Sequence, residues 1–294
     1  MTTTNLPVVR AANTSRRAPA RALLLLLPAY ALLVGVFAYP VFESMWRSVS
    51  EPELGFGNYA WALQNPQNLE ILARTFGNAF LATVICLLLA YPYAFLMTVV
   101  GPRARAVLVV ISLIPFWTSL MIRTFAWIVL LQDSGVVNSF FEFIGIGPLQ
   151  LLRSNTGVLI GLSQVLMPFM VLPLYAVMSG IDGRLVTAAR SLGARPSIAF
   201  LRVFLPLSIP GIAAGSLLVF IQSLGFYVTP ALLGSPSDSM LAQAIYAQVS
   251  SLLEWGRGGA LGVILLVATF ILLGIVGLIV RSAQRKGLAV EVFS

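Results

Sequence analysis

The side chains that most often make or break bonds are nearly missing from this sequence. Its 294 residues include no histidine, one cysteine and one lysine. Cys86 lies inside an apolar run, so neither an internal disulfide nor a His/Cys metal centre can form. Lys286 is not preceded by G-x-x-x-x-G, so the chain lacks a Walker A loop for a nucleotide phosphate. No His/Asp/Glu cluster within the apolar runs offers an acid–base pair. The expectation is a chain with no catalytic residues, no metal site and no cofactor of its own. Two features keep chemical capacity. One is "TAARSLGARPSIAFLRVFLPLSIPG", Thr187 to Gly211, punctuated by Arg190, Arg195 and Arg202. The other is a set of polar and aromatic residues inside apolar runs: Asn78, Arg123, Gln164, Gln222, Phe226 and Tyr227.

The elements that carry these residues follow from hydropathy. The chain is 59% hydrophobic and 10% charged, where soluble domains carry about 25% charged residues. It reads as an integral membrane protein, all-α and polytopic. Six apolar windows reach the roughly 20 residues a membrane helix needs. They run from about Ala22 to Trp46, Thr75 to Val100, Ala106 to Leu131, Gly157 to Gly180, Leu205 to Leu233 and Gly258 to Val280. The expected organisation is a flexible N-terminal tail at 1–21, a six-helix membrane domain at 22–281 and a C-terminal tail at 282–294. "SRRAPARALLLLL" resembles the start of a signal peptide, but its apolar run continues beyond the usual 7–15 residues, which predicts an uncleaved first span.

The loops alternate in charge. Arg10, Arg16, Arg17, Arg21, Arg103, Arg105, Arg184, Arg190, Arg195, Arg202, Arg281, Arg285 and Lys286 fall on one side, with two acids, Asp182 and Glu291. The other side has four arginines against eight acids. Positive loops stay cytoplasmic, which predicts that both termini and the Thr187–Gly211 segment are cytoplasmic. The net charge of +8 is then topogenic, with membrane lipid as its partner and nucleic acid excluded.

Eight prolines within the spans predict bent helices around a cavity. Arg123, the charge that falls within a span, costs about 2.5–3.5 kcal/mol at the bilayer centre. It either snorkels to the outer interface or lines a polar path. Gln164 and Asn78 can act as interhelical hydrogen-bond partners. Gln222 precedes an interruption at Gly225, Thr229 and Pro230, with Phe226 and Tyr227 at the break. These aromatics form either a gate that excludes water or an ordinary packing pair.

In the segment itself, Leu185, Ala188, Ala189 and Leu192 make one helical stripe. Gly193 stands where a C-terminal cap belongs and Pro196 suits the first turn of a second helix. Ile198, Leu201 and Leu205 continue a stripe, and Pro206 and Pro210 mark the start of the fifth span. A helix–turn–helix at the cytoplasmic surface is predicted. From the residues alone it either receives another protein surface or lies on anionic lipid.

The spacing resembles the motif E-A-A-x3-G-x9-I-x-L-P of membrane subunits of bacterial ATP-binding-cassette (ABC) importers. Here Thr187-Ala188-Ala189, Gly193, Val203 and Leu205-Pro206 occupy the marked positions. Thr187 replaces the Glu, which puts one expected ATPase contact in doubt, and Val203 replaces Ile. "LIPFWTSLMIRTFAWIVLLQ", "LMPFMVLPLYAVM" and "LGFYVTPALLG" further resemble the first permease of spermidine/putrescine-type importers. The resemblance implies a type I ABC importer permease fold in the bacterial inner membrane. It implies a second permease, two cytoplasmic ATPases that bind ATP and Mg, and a periplasmic substrate-binding protein. Thr187, Ala188, Ala189, Gly193, Leu205 and Pro206 would couple to the ATPase across segment 182–206, and Phe226, Tyr227, Gln222, Arg123 and Gln164 would line the path or gate. Polyamines are the implied cargo; related branches carry iron, sulfate, molybdate, phosphonate or opines. A secondary carrier is the rival, but such carriers use ionisable groups in their spans, and no central carboxylate is present here.

Overall fold

A computed structural model describes residues 28–285, with side chains described to 278. The predicted tail at 1–21 and most of the tail at 282–294 lie outside the described residues. The described chain is almost wholly helical. In order it comprises α1 (Pro28–Ser50), α2 (Gly57–Gln64), α3 (Pro66–Val99) and α4 (Pro102–Trp117). It continues with α5 (Leu120–Leu131), α6 (Val136–Phe143), α7 (Asn155–Ser179) and α8 (Gly183–Ser191). It ends with α9 (Pro196–Leu224), α10 (Val228–Leu233), α11 (Leu241–Tyr246) and α12 (Trp255–Arg285). Six stretches within it are long and apolar enough to cross a membrane.

Local chemistry sets the ends. Asn65 caps α3, its side chain accepting from Gln67 N at 3.0 Å, with Pro66 in the first turn. This start lies nine residues before the predicted span, because cap and proline define a helix end that hydropathy does not see. Ser154 caps α7 by accepting from Gly157 N at 3.2 Å.

The third apolar window does not form one straight helix. Thr118 and Ser119 are extended and separate α4 from α5. Pro115, inside α4, leaves the carbonyl four residues before it without its helical partner. At 16 and 12 residues, neither piece alone reaches the roughly 30 Å of hydrocarbon at 1.5 Å per residue, and the third stretch long enough to cross runs instead from Leu120 to Phe143.

The core is a three-helix packing of α3, α7 and α9. One face of α3 buries small residues: Thr75, Ala79, Ala82, Cys86, Ala90 and Ala94. That face lets α7 and α9 approach closely, and α7 supplies the bulk with Leu166, Met170, Leu174 and Met178. On α9 the facing positions are again small. A Cβ on Gly215 would stand 2.7 Å from Met170 Sδ and 3.1 Å from Met170 O. Gly211, one turn earlier, faces Leu174 at 3.2 Å and Val177 at 3.0 Å in the same sense. This is the small-xxx-small pattern that replaces hydrophobic driving force between membrane helices.

A second group joins α1, α2 and α11 to α12. Asn58 ties its turn by donating to Ser48 O (3.0 Å) and Glu51 O (2.6 Å). Thr75 Oγ1 accepts from Leu241 N at 2.8 Å, joining α3 to α11 across 166 residues of sequence. The Arg47 guanidinium lies 5.2 Å from the Trp255 ring centroid and that of Arg257 5.0 Å from Trp61. These cation–aromatic pairs suit a water–lipid boundary. The apolar face of α1 is exposed throughout, including Leu32, Val36, Phe37 and Phe42. Such a face in this chain meets lipid or another subunit.

Candidate functional site

The segment with the motif spacing folds as a capped helix followed by the start of a membrane helix. Asp182 caps α8, its carboxylate accepting from Arg184 N at 2.9 Å. At the other end Gly193 has φ +88°. Its N–H donates to Arg190 O at 3.0 Å, and Ala194 N donates to Ala189 O at 3.1 Å. This pair of bonds is the Schellman arrangement, which needs a left-handed residue at the position of Gly193. No residue of α8 is buried. Leu185, Ala188 and Leu192 are exposed, Leu192 by 90%. Three of the four predicted stripe positions therefore point away from the chain's own core, while Ala189 is half-buried. Thr187 is exposed too, its hydroxyl donating to Gly183 O at 3.2 Å.

Leu205 and Pro206 are placed differently from the expectation of a surface segment ending before the fifth span. The second piece is continuous with that span as α9, through a π-helical turn at Phe200–Phe204. Pro206 has no N–H for Arg202 O, and Leu205 N bonds back to Phe200 O. The ring at 206 thus accounts for a bulge rather than an end. The predicted span from 205 to 233 is correspondingly shifted. The helix closes at Leu224, residues 225–227 break it, and α10 follows.

At that break the two aromatics part. Phe226 packs against the α3/α7/α9 core and against the cluster around Val158, Leu162 and Leu233. Tyr227 meets Tyr246 at the end of α11, ring centroids 4.6 Å apart and 35° inclined. Gln222 is exposed on α9. Gln164, on α7, accepts from Trp127 Nε1 at 3.5 Å. Arg123 lies one turn before Trp127 on α5 and donates through Nη2 to Thr118 O at 3.2 Å, the residue that closes α4. A guanidinium there complements the negative end of α4 and bridges the broken helix. Its Nε is buried without a partner. The structure thus brings Gln164 to the Arg123 side of α5, and Phe226 and Tyr227 to the break. No hydrogen bond links Gln222 to Arg123 or Gln164 among the described residues.

Tyr246 and Trp127 were not singled out in the sequence. Tyr246 sits in a short helix with no apolar window, and its proximity to Tyr227 depends on how α11 folds back. Removing both rings of the break, as Phe226→Ala with Tyr227→Ala, is expected to raise passive leak of small cations through reconstituted vesicles severalfold. Unchanged leak and unchanged coupling would assign both rings to packing.

Taken together, the six apolar helical stretches and the small-residue packing between them define the class: a multi-pass membrane protein. Residues 90–289 match the family described as "Binding-protein-dependent transport system inner membrane component". The spermidine/putrescine transport system permease protein PotB of Haemophilus influenzae is 36% identical over 213 residues, 72% of this chain and 74% of that protein. Its Escherichia coli counterpart is 32% identical, covering 72% and 78%. The inner membrane ABC transporter permease YdcU of Escherichia coli is 32% identical over 249 residues, 80% of this chain and 76% of that protein. Among solved structures, a bacterial alginate ABC transporter chain superposes with a TM-score of 0.72 at 19% identity, covering 92% of this chain and 96% of that one. The chain belongs to the inner-membrane components of binding-protein-dependent transport systems. It is a permease subunit of an ABC importer in the inner membrane.

Proposed function

We propose that this permease carries polyamines such as spermidine and putrescine, and that α8 is the element through which an ATPase drives it. The observation that carries the coupling role is the exposure of Leu185, Thr187, Ala188 and Leu192 on α8, which is capped at both ends and stands at the head of a helix that runs unbroken into the membrane. Relatives that transport spermidine and putrescine, similar over about three quarters of the chain, carry the choice of cargo. In this reading both termini and α8 face the cytoplasm, as the arginine distribution requires. Two ATPases hold ATP and Mg, a second permease completes the path, and a periplasmic protein delivers the solute. The chain itself performs no bond-breaking step.

Alternating access needs an element whose contacts differ between two states. At 29 residues, α9 is roughly 43 Å long at 1.5 Å per residue. Its first turn follows α8 and its last residue precedes the break at 225–227. A tilt imposed at α8 therefore reaches Phe226 and Tyr227 through one rod, with the bulge at 200–204 as its weakest point.

The test is uptake into vesicles that contain the chain with its ATPase, second permease and binding protein. Radiolabelled spermidine or putrescine should accumulate with ATP and not without it. Uptake of molybdate or sulfate with no polyamine uptake would replace the cargo. Uptake driven by a proton or sodium gradient without ATP would replace the mechanism.

A further inference from the structure

Behind α8 lies a groove of about 490 Å³ that shares only Thr187 with the residues expected to couple to the ATPase. Its floor is aromatic and aliphatic: Phe95 and Val99 at the end of α3, Met178 at the end of α7, and Phe200 and Phe204 in the bulge of α9. The three phenylalanines hold one another, Phe95 edge-on to Phe200 (5.5 Å) and to Phe204 (5.1 Å), with Phe200 stacked on Phe204 (5.6 Å). Arg105 and Arg190 line it as well. Arg105 is fixed by donating to Met97 O at 2.9 Å and Val100 O at 3.3 Å.

Among the described residues the arginines of this groove form no ion pair. Among the described residues the ion pairs are Arg47 with Glu43 and Glu51, Arg74 with Glu70, and Arg257 with Glu254. All of these arginines belong to the acid-rich side of the chain. Neither Arg105 nor Arg190 pairs with a carboxylate among the described residues. Thr187 also lines the groove, three residues before Arg190 on α8. An acid at 187 would make an i,i+3 pair with Arg190; threonine leaves that arginine without a counter-charge. The edge of the groove is open at Val99, 63% exposed on the last turn of a membrane helix.

We propose that this groove binds an anionic phospholipid, its phosphate on Arg190 and Arg105 and an acyl chain along Phe95, Val99, Phe200 and Phe204. The amphiphile fits because the site joins a cationic rim to an apolar floor at the membrane surface, where anionic headgroups concentrate beside basic residues. Lipid bound there would touch both α8 and the bulge of α9, the two parts that must move together for coupling. The inference adds to the docking reading and stands without it.

Native mass spectrometry of the full-length chain released from nanodiscs of phosphatidylcholine with phosphatidylglycerol tests it. The chain should retain phosphatidylglycerol in preference to phosphatidylcholine. Thr187→Glu and Arg190→Gln, both at exposed positions of α8, should each lower that retention about tenfold, the loss of a charge-assisted contact. Equal retention of the two lipids, or retention indifferent to both substitutions, would overturn the proposal. So would displacement by inorganic phosphate alone, which would give the site to a soluble anion. A Thr187→Glu chain that keeps its lipid preference and changes only ATPase co-purification would mean that the arginines meet a protein carboxylate, and it too overturns the proposal.

Discussion

Gly193→Pro is expected to abolish ATP-driven uptake while the spans remain inserted. Gly193 sits at φ +88° and donates its N–H to Arg190 O. Proline fixes φ near −65° and has no N–H, so it removes both the turn and the bond, at about 3 kcal/mol. That is enough to shift a local order–disorder equilibrium by roughly 100-fold. Little compensates at that end, because no residue of α8 is fully buried and Val186 is its one contact with the main core. The cap is what holds the helix and aims its exposed stripe. Gly193→Ala keeps the N–H and asks only for a left-handed alanine, a cost of about 1–2 kcal/mol, so it should give partial uptake. Co-purification of the ATPase and uptake by reconstituted vesicles check both. Protease protection of the loops confirms that insertion is intact. Wild-type uptake by the proline variant would remove α8 from the coupling path.

Gly215→Leu should act at the opposite level, on the fold. The site has no room: a Cβ there already meets Met170 Sδ at 2.7 Å and its backbone oxygen at 3.1 Å. The sulfur can swing aside, but the backbone of α7 cannot. The added side chain pushes α9 off α7, and overpacking of this kind costs about 1–3 kcal/mol or more. Ser208, Gly211, Val219 and Ser223 share the same buried face of α9, so the displacement propagates along the helix. The expected result is a sharp loss of folded full-length chain, read as the monodisperse fraction after detergent extraction and as a lowered unfolding temperature. Met170→Ala in the same chain should restore part of it by freeing volume. A fully stable Gly215→Leu chain would show that α7 and α9 are not in close contact.

Much of the site could be read in the sequence because local rules govern it. Gly193 and Pro196 are stop and restart signals whose meaning does not depend on the rest of the chain, and Asp182, read in the sequence only as a charge, is a start signal of the same local kind. Their bonds in the structure are short-range ones, spanning two to five residues. The same holds for the break after Leu224, announced by Gly225 and Pro230. Where the reading slipped, two local signals competed. Pro206 and Pro210 look like the start of a span, but a membrane helix tolerates a proline through a bulge when neighbours take up the freed groups. The helix therefore ran through from Pro196. In the third window, uniform hydropathy from 106 to 131 hid the extended pair at 118 and 119.

By itself, then, the sequence determined that the chain is a helical, multi-pass membrane protein, which loops carry the positive charge, and that Ala188, Ala189 and Gly193 form a capped helix, because hydropathy, charge placement and helix caps are properties of a few successive residues. Only the tertiary structure decided that Arg123 bridges a broken helix at Thr118, that Tyr227 meets Tyr246 and not Phe226, and that Thr187 shares a groove with Arg105 and the phenylalanines at 95 and 200. The last two pairings join residues far apart in the sequence. They are set by which small faces let α3, α7 and α9 pack closely, and that three-body fit has no signature at any one position along the chain.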